Sequence, residues 1–349
     1  MLRRISALLL LSLLFSPVTW ADRHVIDQLG RNVTVPDHIE RAVVLQHQTL
    51  NLLVQLGAMD QVVGVLGSWK KQLGSNYLRL APTLATLPEP GDITSVNMES
   101  LLALHPQVVF VANYAPSAMI AQIEQAGIPV VGISLRRVSG DQANKLNPTL
   151  ANEDEVYTNG LVDGIRLIAQ VMGHTDRAEA MIKDTLAGRA LVSQRLKDLK
   201  PDARVRVYMA NPGLTTYGSG KYTGLMMEHA GASNVAAKDI KGYQQVSIED
   251  VLKWNPQVIF VQERYPEVVE EITHSEQWQT IDAVKHHRIY LMPEYAKAWG
   301  YPMPEAVALG ELWMAKTLYP TRFSDISLQQ QVDHYYQRYY HATCCAAKS

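Results

Sequence analysis

VNMESLLALHPQVVFV occupies residues 96–111 and VSIEDVLKWNPQVIFV occupies residues 246–261. Aligned without a gap, the two stretches agree at eight of 16 positions. A match of that density within one chain says that two equivalent units are present. Each unit reads as a short helix, a Pro-marked turn and a buried strand. Pro106 and Pro256 stop the helix and set the entry to the strand. Asn97 and Ser247 stand where N-caps belong, which puts Glu99 and Glu249 in the first helical turn. A carboxylate there is favoured by the helix dipole by about 0.3–1 kcal/mol. The helix of a βαβ unit runs antiparallel to its strands. Its N-terminus therefore lies at the edge where strand C-termini open and ligands bind. Two such units facing each other present Glu99 and Glu249 on matching corners beside a cleft. His105 and Asn255 share the slot before Pro at the opposite end of the strand, a structural position.

Working outward, short apolar runs alternate with helical patterns. The runs are AVVLQ (42–46), VVGVLG (62–67), VVFVA (108–112) and VVGIS (130–134). Continuous apolar strands between helices indicate parallel sheet covered on both faces. Residues 152–199 hold no strand candidate. A helix starting near Thr175 as N-cap and running towards Leu199 would be about 36 Å long, enough to cross between two lobes. Strands resume at VRVYMA (205–210), VIFVQ (258–262) and RIYLMP (288–293). The predicted fold is α/β: two doubly wound lobes, each with a central parallel sheet, joined by a single long α-helix. The organisation read from the chain is a leader at 1–21, an N-terminal lobe at 22–150, a helical segment at 151–200, a C-terminal lobe at 201–341 and a flexible tail at 342–349.

The first residues decide the compartment. Arg3 and Arg4 precede an apolar run from Ile5 to Phe15, and SPVTWA ends on Ala21. That is a signal peptide with cleavage after Ala21. About 11 apolar residues are too few to span about 30 Å of hydrocarbon. No Cys stands near the cleavage site, so no lipid acceptor is present and the mature chain is expected free in a periplasm. Hydrophobic residues make up 47% and charged residues 19% of the chain, and the net charge is −2. That balance points to no nucleic acid and no anionic membrane surface. Both cysteines, Cys344 and Cys345, are adjacent near the end. They cannot staple the body of the fold and read as a frayed tail or a vicinal pair.

The pattern resembles the periplasmic substrate-binding proteins of ABC importers for iron–siderophores, haem and cobalamin. The resemblance rests on DQLGRNVTVPDHIERAVVL (27–45), both repeat segments, the crossing helix, YGSGKYTGLMMEHAGASNVA (217–236) and WGYPMPEAVALGELWMAKTLYP (299–320). It implies two α/β lobes with limited hinge motion and a ligand in the cleft between them. It also implies one surface glutamate per lobe, here Glu99 and Glu249, pairing with arginines of an inner-membrane permease dimer served by an ATPase. The protein is expected to act as a monomer.

Ligand contacts are expected just past the strand C-termini. Those positions hold Trp69 and Lys70, then Tyr114 and Arg136 in the first lobe. In the second lobe they hold Tyr217, Arg264 and Tyr265, then Tyr295, Trp299 and Tyr301. Arg offers fixed charge and planar donors to oxyanionic ligands, and Trp and Tyr give apolar faces with a polar tip. Tyr114, Tyr265 or His47 could complete an unfilled iron coordination sphere. The expected ligand is an iron(III) chelate of the siderophore type, with a nickel or cobalt complex, haem and cobalamin as alternatives, and no cofactor. Enzyme signatures are missing from the sequence: there is no G-x-S-x-G elbow and no HExxH, and GSG at 218–220 lacks the spacing of a phosphate loop. The sequence therefore predicts a binder, not an enzyme.

Overall fold

Residues 22–345 are described by the computed structural model, so the leader at 1–21 and its cleavage after Ala21 lie outside the described residues. The first lobe is built on four parallel strands: β1 Ala42–Leu45, β2 Val62–Val65, β3 Val108–Ala112 and β4 Val130–Ile133. Their order across the sheet is β2-β1-β3-β4. The second lobe repeats this with β5 Val205–Ala210, β6 Ala232–Asn234, β7 Val258–Val261 and β8 Ile289–Leu291, in the order β6-β5-β7-β8. The repeated phrase thus marks the third strand of each sheet. Phe110 pairs opposite Val44 and Phe260 opposite Met209, and both phenylalanines are fully buried. Runs of Val, Ile and Phe suit these strands because helices cover both sheet faces.

The first lobe carries α1 His47–Leu56, α2 Met98–Ala103 and α3 Ser117–Gln125. The helical segment consists of α4 Glu153–Met172 and α5 Thr175–Leu196. The second lobe has α6 Tyr222–His229, α7 Ile248–Trp254 and α8 Pro266–His274, and the chain finishes with α9 Glu311–Leu318 and α10 Leu328–Tyr339.

The repeat helices α2 and α7 start on the caps read from the sequence. Asn97 accepts the Ser100 N–H at 2.9 Å. Ser247 and Asp250 form a reciprocal capping box, which satisfies two otherwise orphan donors. His105 and Asn255 both lie in the left-handed region, at φ 46° and 44°. Asn tolerates that conformation readily and His less so. The matched slot before Pro is therefore a backbone device that ends each helix. Glu99 and Glu249 are both exposed, each in the first turn of its helix.

The crossing helix α5 has 22 residues, about 33 Å at 1.5 Å per residue. Its buried side, Ala178, Met181, Ile182 and Thr185, keeps the spacing of three to four expected of an amphipathic helix. One detail departs from the sequence reading. His174 holds the N-cap position and Thr175 is already helical, with no side-chain cap bond. The helix is pinned to the second lobe by Arg189, which pairs with the fully buried Glu311 at 2.7 Å. Glu311 also takes hydrogen bonds from Tyr222 and His229, and His229 reaches Asp154 on α4. Burial opposes the positive charge of His229, but Glu311 and Asp154 overcome it and raise its pKa to about 9.

The expectation of a flexible tail at 342–349 is corrected for 342–345. Ala342 packs on the core, Cys344 is buried, and Arg79 donates to the Thr343 carbonyl. Cys344 and Cys345 form a vicinal disulfide. Residues 346–349 lie outside the described residues. No helix among the described residues is long and apolar enough to cross a membrane.

Candidate functional site

In a sheet of order 2-1-3-4 the connections reverse between the first and third strands, and ligands bind outside the strand C-termini at that switch point. In the first lobe those strands lead into Gln46 and His47, and into Asn113 and Tyr114. In the second lobe they lead into Asn211, and into Gln262, Glu263, Arg264 and Tyr265. The two switch points face each other across the seam between the lobes.

His47 opens α1, whose cap residue Gln46 makes no side-chain cap bond. The imidazole meets Trp299 of the second lobe edge to face, with ring centroids 5.5 Å apart. Burial and the charge of Arg264 lower the His47 pKa to about 3, so the ring is neutral in any ordinary medium. Its Nδ1 and the indole Nε1 of Trp299 are both buried without a hydrogen-bond partner. A buried polar atom left unsatisfied costs about 1–3 kcal/mol, and the polar group beside the Trp299 indole is the Glu263 carboxyl.

Arg264 spans the seam. Its Nη1 donates to the Gln72 carbonyl of the first lobe at 3.1 Å, and its Nε donates to Gln262 at 3.0 Å. The guanidinium stacks over Tyr265 and Trp299, 5.2 and 5.7 Å from the ring centroids. No carboxylate among the described residues forms an ion pair with it. Lys297 lies 4.7 Å over the other side of this aromatic cluster, at Trp299, and is fully buried. Its counter-charge is Glu305 at 3.6 Å. Glu305 is held by Asn51, Gln55 and Tyr340. His47, Asn51 and Gln55 stand four residues apart on α1, so one helix face runs from the seam to this buried carboxylate. Glu263 lies beside both Arg264 and Lys297. Burial raises its pKa against the pull of those two cations, and one of its oxygens is unpartnered.

Further along the seam Tyr217, Tyr301 and Asn113 meet. Tyr301 donates weakly to Asn113 of the first lobe at 3.4 Å. Burial raises the pKa of both tyrosines, so they remain protonated donors. Arg136 and Lys221 flank Tyr301, 6.0 and 5.0 Å from its centroid.

The structure thus brings together Arg136, Tyr217, Arg264, Trp299 and Tyr301 of the residues read from the sequence, with His47. It sorts the others differently. Tyr265 and Lys70 line the mouth of the seam, a cleft of about 690 Å³ shared with Lys71, Arg264 and Tyr77. Tyr114 lines a separate first-lobe cavity of about 410 Å³ with Asn113 and Glu124. The suggested metal donors Tyr114 and Tyr265 therefore sit in different cavities. Among the described residues no group of three or more His, Cys, Asp or Glu side chains is placed to hold a metal ion. Trp69 is buried in the first-lobe core with its indole N–H satisfied by Glu89 at 2.9 Å, which corrects its reading as a ligand contact. Tyr295 likewise packs in the core. Sequence reasoning missed Lys221, Lys297 and Glu263. Each stands within four residues of a residue it did select, and none carries a periodic or motif signal of its own.

Comparison with known proteins locates this architecture. The model of the family described as periplasmic binding protein matches residues 43–296. The chain is 61% identical over 334 residues to the molybdate-binding protein MolA of Haemophilus influenzae, covering 96% of this chain and 95% of that one. It superposes on the solved structure of MolA bound to molybdate with a TM-score of 0.91, over 93% of this chain and 99% of that chain. A periplasmic solute-binding protein from Veillonella parvula shares the fold at a TM-score of 0.74 and 24% identity, over 93% of this chain and 94% of that one.

Proposed function

The chain belongs to the periplasmic binding protein family, and we propose that its ligand is a tetrahedral oxyanion of the molybdate type rather than an iron(III) chelate. As a member of that family it is a binding protein of an ABC importer and not an enzyme. Its cognate partner is a permease.

One observation carries the ligand assignment. At the paired switch points, unpartnered or charged donors from both lobes converge: His47, Trp299 and Arg264. A siderophore or tetrapyrrole needs broad exposed aromatic faces. Here Tyr217, Trp299 and Tyr301 are only 6%, 5% and 3% exposed. Their faces are spent on interlobe packing, and their polar tips are what the seam offers. A small oxyanion needs only donors, and a planar guanidinium matches its oxygens two at a time. The likeness to MolA, which was solved with molybdate, supports the same reading.

Glu263 fits as a protonated donor, which its burial favours. Ionised, it would repel the ligand. Capture draws the lobes together through bonds such as Arg264 to Gln72. Glu99 and Glu249 then present matching carboxylates, one per lobe, to the permease. Ion pairs at such an exposed surface orient the partner more than they add affinity.

Thermal shift and calorimetric titration of the mature chain test this reading. Molybdate and tungstate are expected to stabilise the protein and to bind with one-to-one or higher stoichiometry. Stabilisation by ferric siderophores or haem, with none by molybdate or tungstate, would overturn it.

A further inference from the structure

The deep end of the seam holds two cations with no counter-charge. Arg136 follows β4 in the first lobe and Lys221 opens α6 in the second, and they are 1% and 2% exposed. Their hydrogen bonds run to main-chain carbonyls, and the Tyr157 hydroxyl of α4 lies beside the Arg136 guanidinium. Arg136 Nη2 donates to Gln142 and Ala143 at 3.3 Å and also to Lys145, and Lys221 donates to Leu146. Arg136 Nε and Nη1 are buried with no hydrogen-bond partner. Neither residue forms an ion pair with a described carboxylate. Glu153 of α4 is occupied by the Gly220 N–H at 2.8 Å. Tyr157 of α4 spends its hydroxyl on the Gly220 carbonyl.

Two buried like charges with nothing between them are costly, because desolvation and repulsion act together. The cost shows on Lys221, whose pKa burial and Arg136 lower to about 7. The arrangement is also fixed sterically. Gly160 of α4 lies so close to the Arg136 main chain that a Cβ there would meet its Cα at 2.0 Å. This close approach fixes the Arg136 main chain against α4.

We propose that Arg136 and Lys221 form a second, deeper anion subsite, in which an oxyanion bridges the two lobes between the guanidinium and the ammonium, with Tyr301 beside it. The subsite is distinct from the donors around Arg264. It rests on the reading that the seam takes oxyanions, and it adds that one end of the seam holds two cationic groups with no counter-charge, matched to a dianion that keeps Lys221 protonated. An ion there neutralises a pair that otherwise resists closure, so occupancy and lobe closure are coupled.

Tungstate tests the subsite directly, because tungsten scatters strongly and anomalously. The mature chain is crystallised with sodium tungstate and the anomalous peaks are located, and binding is titrated for the wild type and for Lys221→Met. The proposal expects a peak within hydrogen-bonding distance of Lys221 Nζ and Arg136. It also expects Lys221→Met to lose that peak and its share of the stoichiometry without a fall in its ligand-free melting temperature, since the variant removes the repulsion with Arg136. A peak at Arg264 alone, unchanged in Lys221→Met, overturns the deep subsite and leaves the proposed function standing. No bound tungstate anywhere in the seam overturns both.

Discussion

The neutral imidazole of His47 and the indole of Trp299 meet edge to face across the lobe boundary, with centroids 5.5 Å apart and a polar nitrogen free on each. One residue comes from each lobe, so this pair reports closure as well as contact. Removing either donor costs the hydrogen bond it would give an anion, about 1.5–3 kcal/mol for a charged partner. His47→Ala and Trp299→Phe are each expected to weaken molybdate binding by roughly ten-fold or more. Trp299→Phe should also abolish most of the ligand-dependent change in tryptophan fluorescence. Titration by calorimetry beside fluorescence checks both. An unchanged affinity in both variants places the ligand elsewhere.

Arg264 carries the fixed charge at this end of the seam and contacts the first lobe through the Gln72 carbonyl. Arg264→Gln keeps a donor but loses the charge and the fork. The expected loss of molybdate affinity is about 10- to 150-fold. The ligand-free melting temperature should change little, because the residue pairs with no carboxylate. A variant that binds within two-fold of wild type rules out a direct contact.

Glu263 gives the site a pH dependence of known sign. Burial raises its pKa, so the neutral, donating form persists above the usual carboxylate range. As pH rises through that pKa, a negative charge appears beside the ligand and affinity falls. Glu263→Gln removes the titration. It is expected to bind molybdate as well as wild type at low pH and better than wild type at high pH. Affinities measured from pH 5 to pH 8.5 decide it, and parallel profiles for the two proteins would exclude Glu263 from the site.

The sheets, their parallel pairing and the crossing helix were legible because each writes a periodic signal: apolar runs for buried strands, a three-to-four spacing for α5. The repeat went further, since caps at Asn97 and Ser247 and left-handed residues at His105 and Asn255 are local chemistry written twice. The cleft was legible only in part. Position after a strand C-terminus says that a side chain is near the seam, not which way it points. Trp69 meets that rule and yet turns inward to Glu89. Lys221 and Lys297 break no pattern in the sequence, and their importance appears only when tertiary folding buries them without full compensation. Ligand class was the least legible, because Tyr, Trp and Arg serve a flat chelate or a small oxyanion equally until burial shows whether faces or tips are on offer.

His229 links stability to pH through the buried Glu311. Its pKa in the folded state is raised to about 9 from an ordinary 6.5. A raised folded pKa means that its stabilisation is fully present below about 6.5 and is lost as pH climbs through about 9. His229→Gln is therefore expected to melt well below wild type at pH 6, with the gap closing by pH 9.5. Lys221 pushes stability the other way over part of that range, but it is common to both proteins and cancels in the difference. A gap independent of pH would mean that His229 is neutral in the folded protein.

Glu99 and Glu249 test the proposed docking surface. Each is exposed in the first turn of its repeat helix, and each helix belongs to a different lobe. Neither contributes to the seam, so reversing their charge should leave the ligand site untouched. Exposed ion pairs are worth only about 0–1 kcal/mol each. A single reversal is thus expected to slow uptake modestly. Two reversals change both corners at once, and misaligned docking then costs both together. The double variant Glu99→Arg with Glu249→Arg is expected to keep its molybdate affinity and melting temperature within error and to lose most transport in cells or in proteoliposomes carrying the permease. Each single variant should retain an intermediate rate that declines further at low ionic strength, where repulsion is least screened. Full transport by the double variant would remove these two carboxylates from the docking surface while leaving the anion site as it stands.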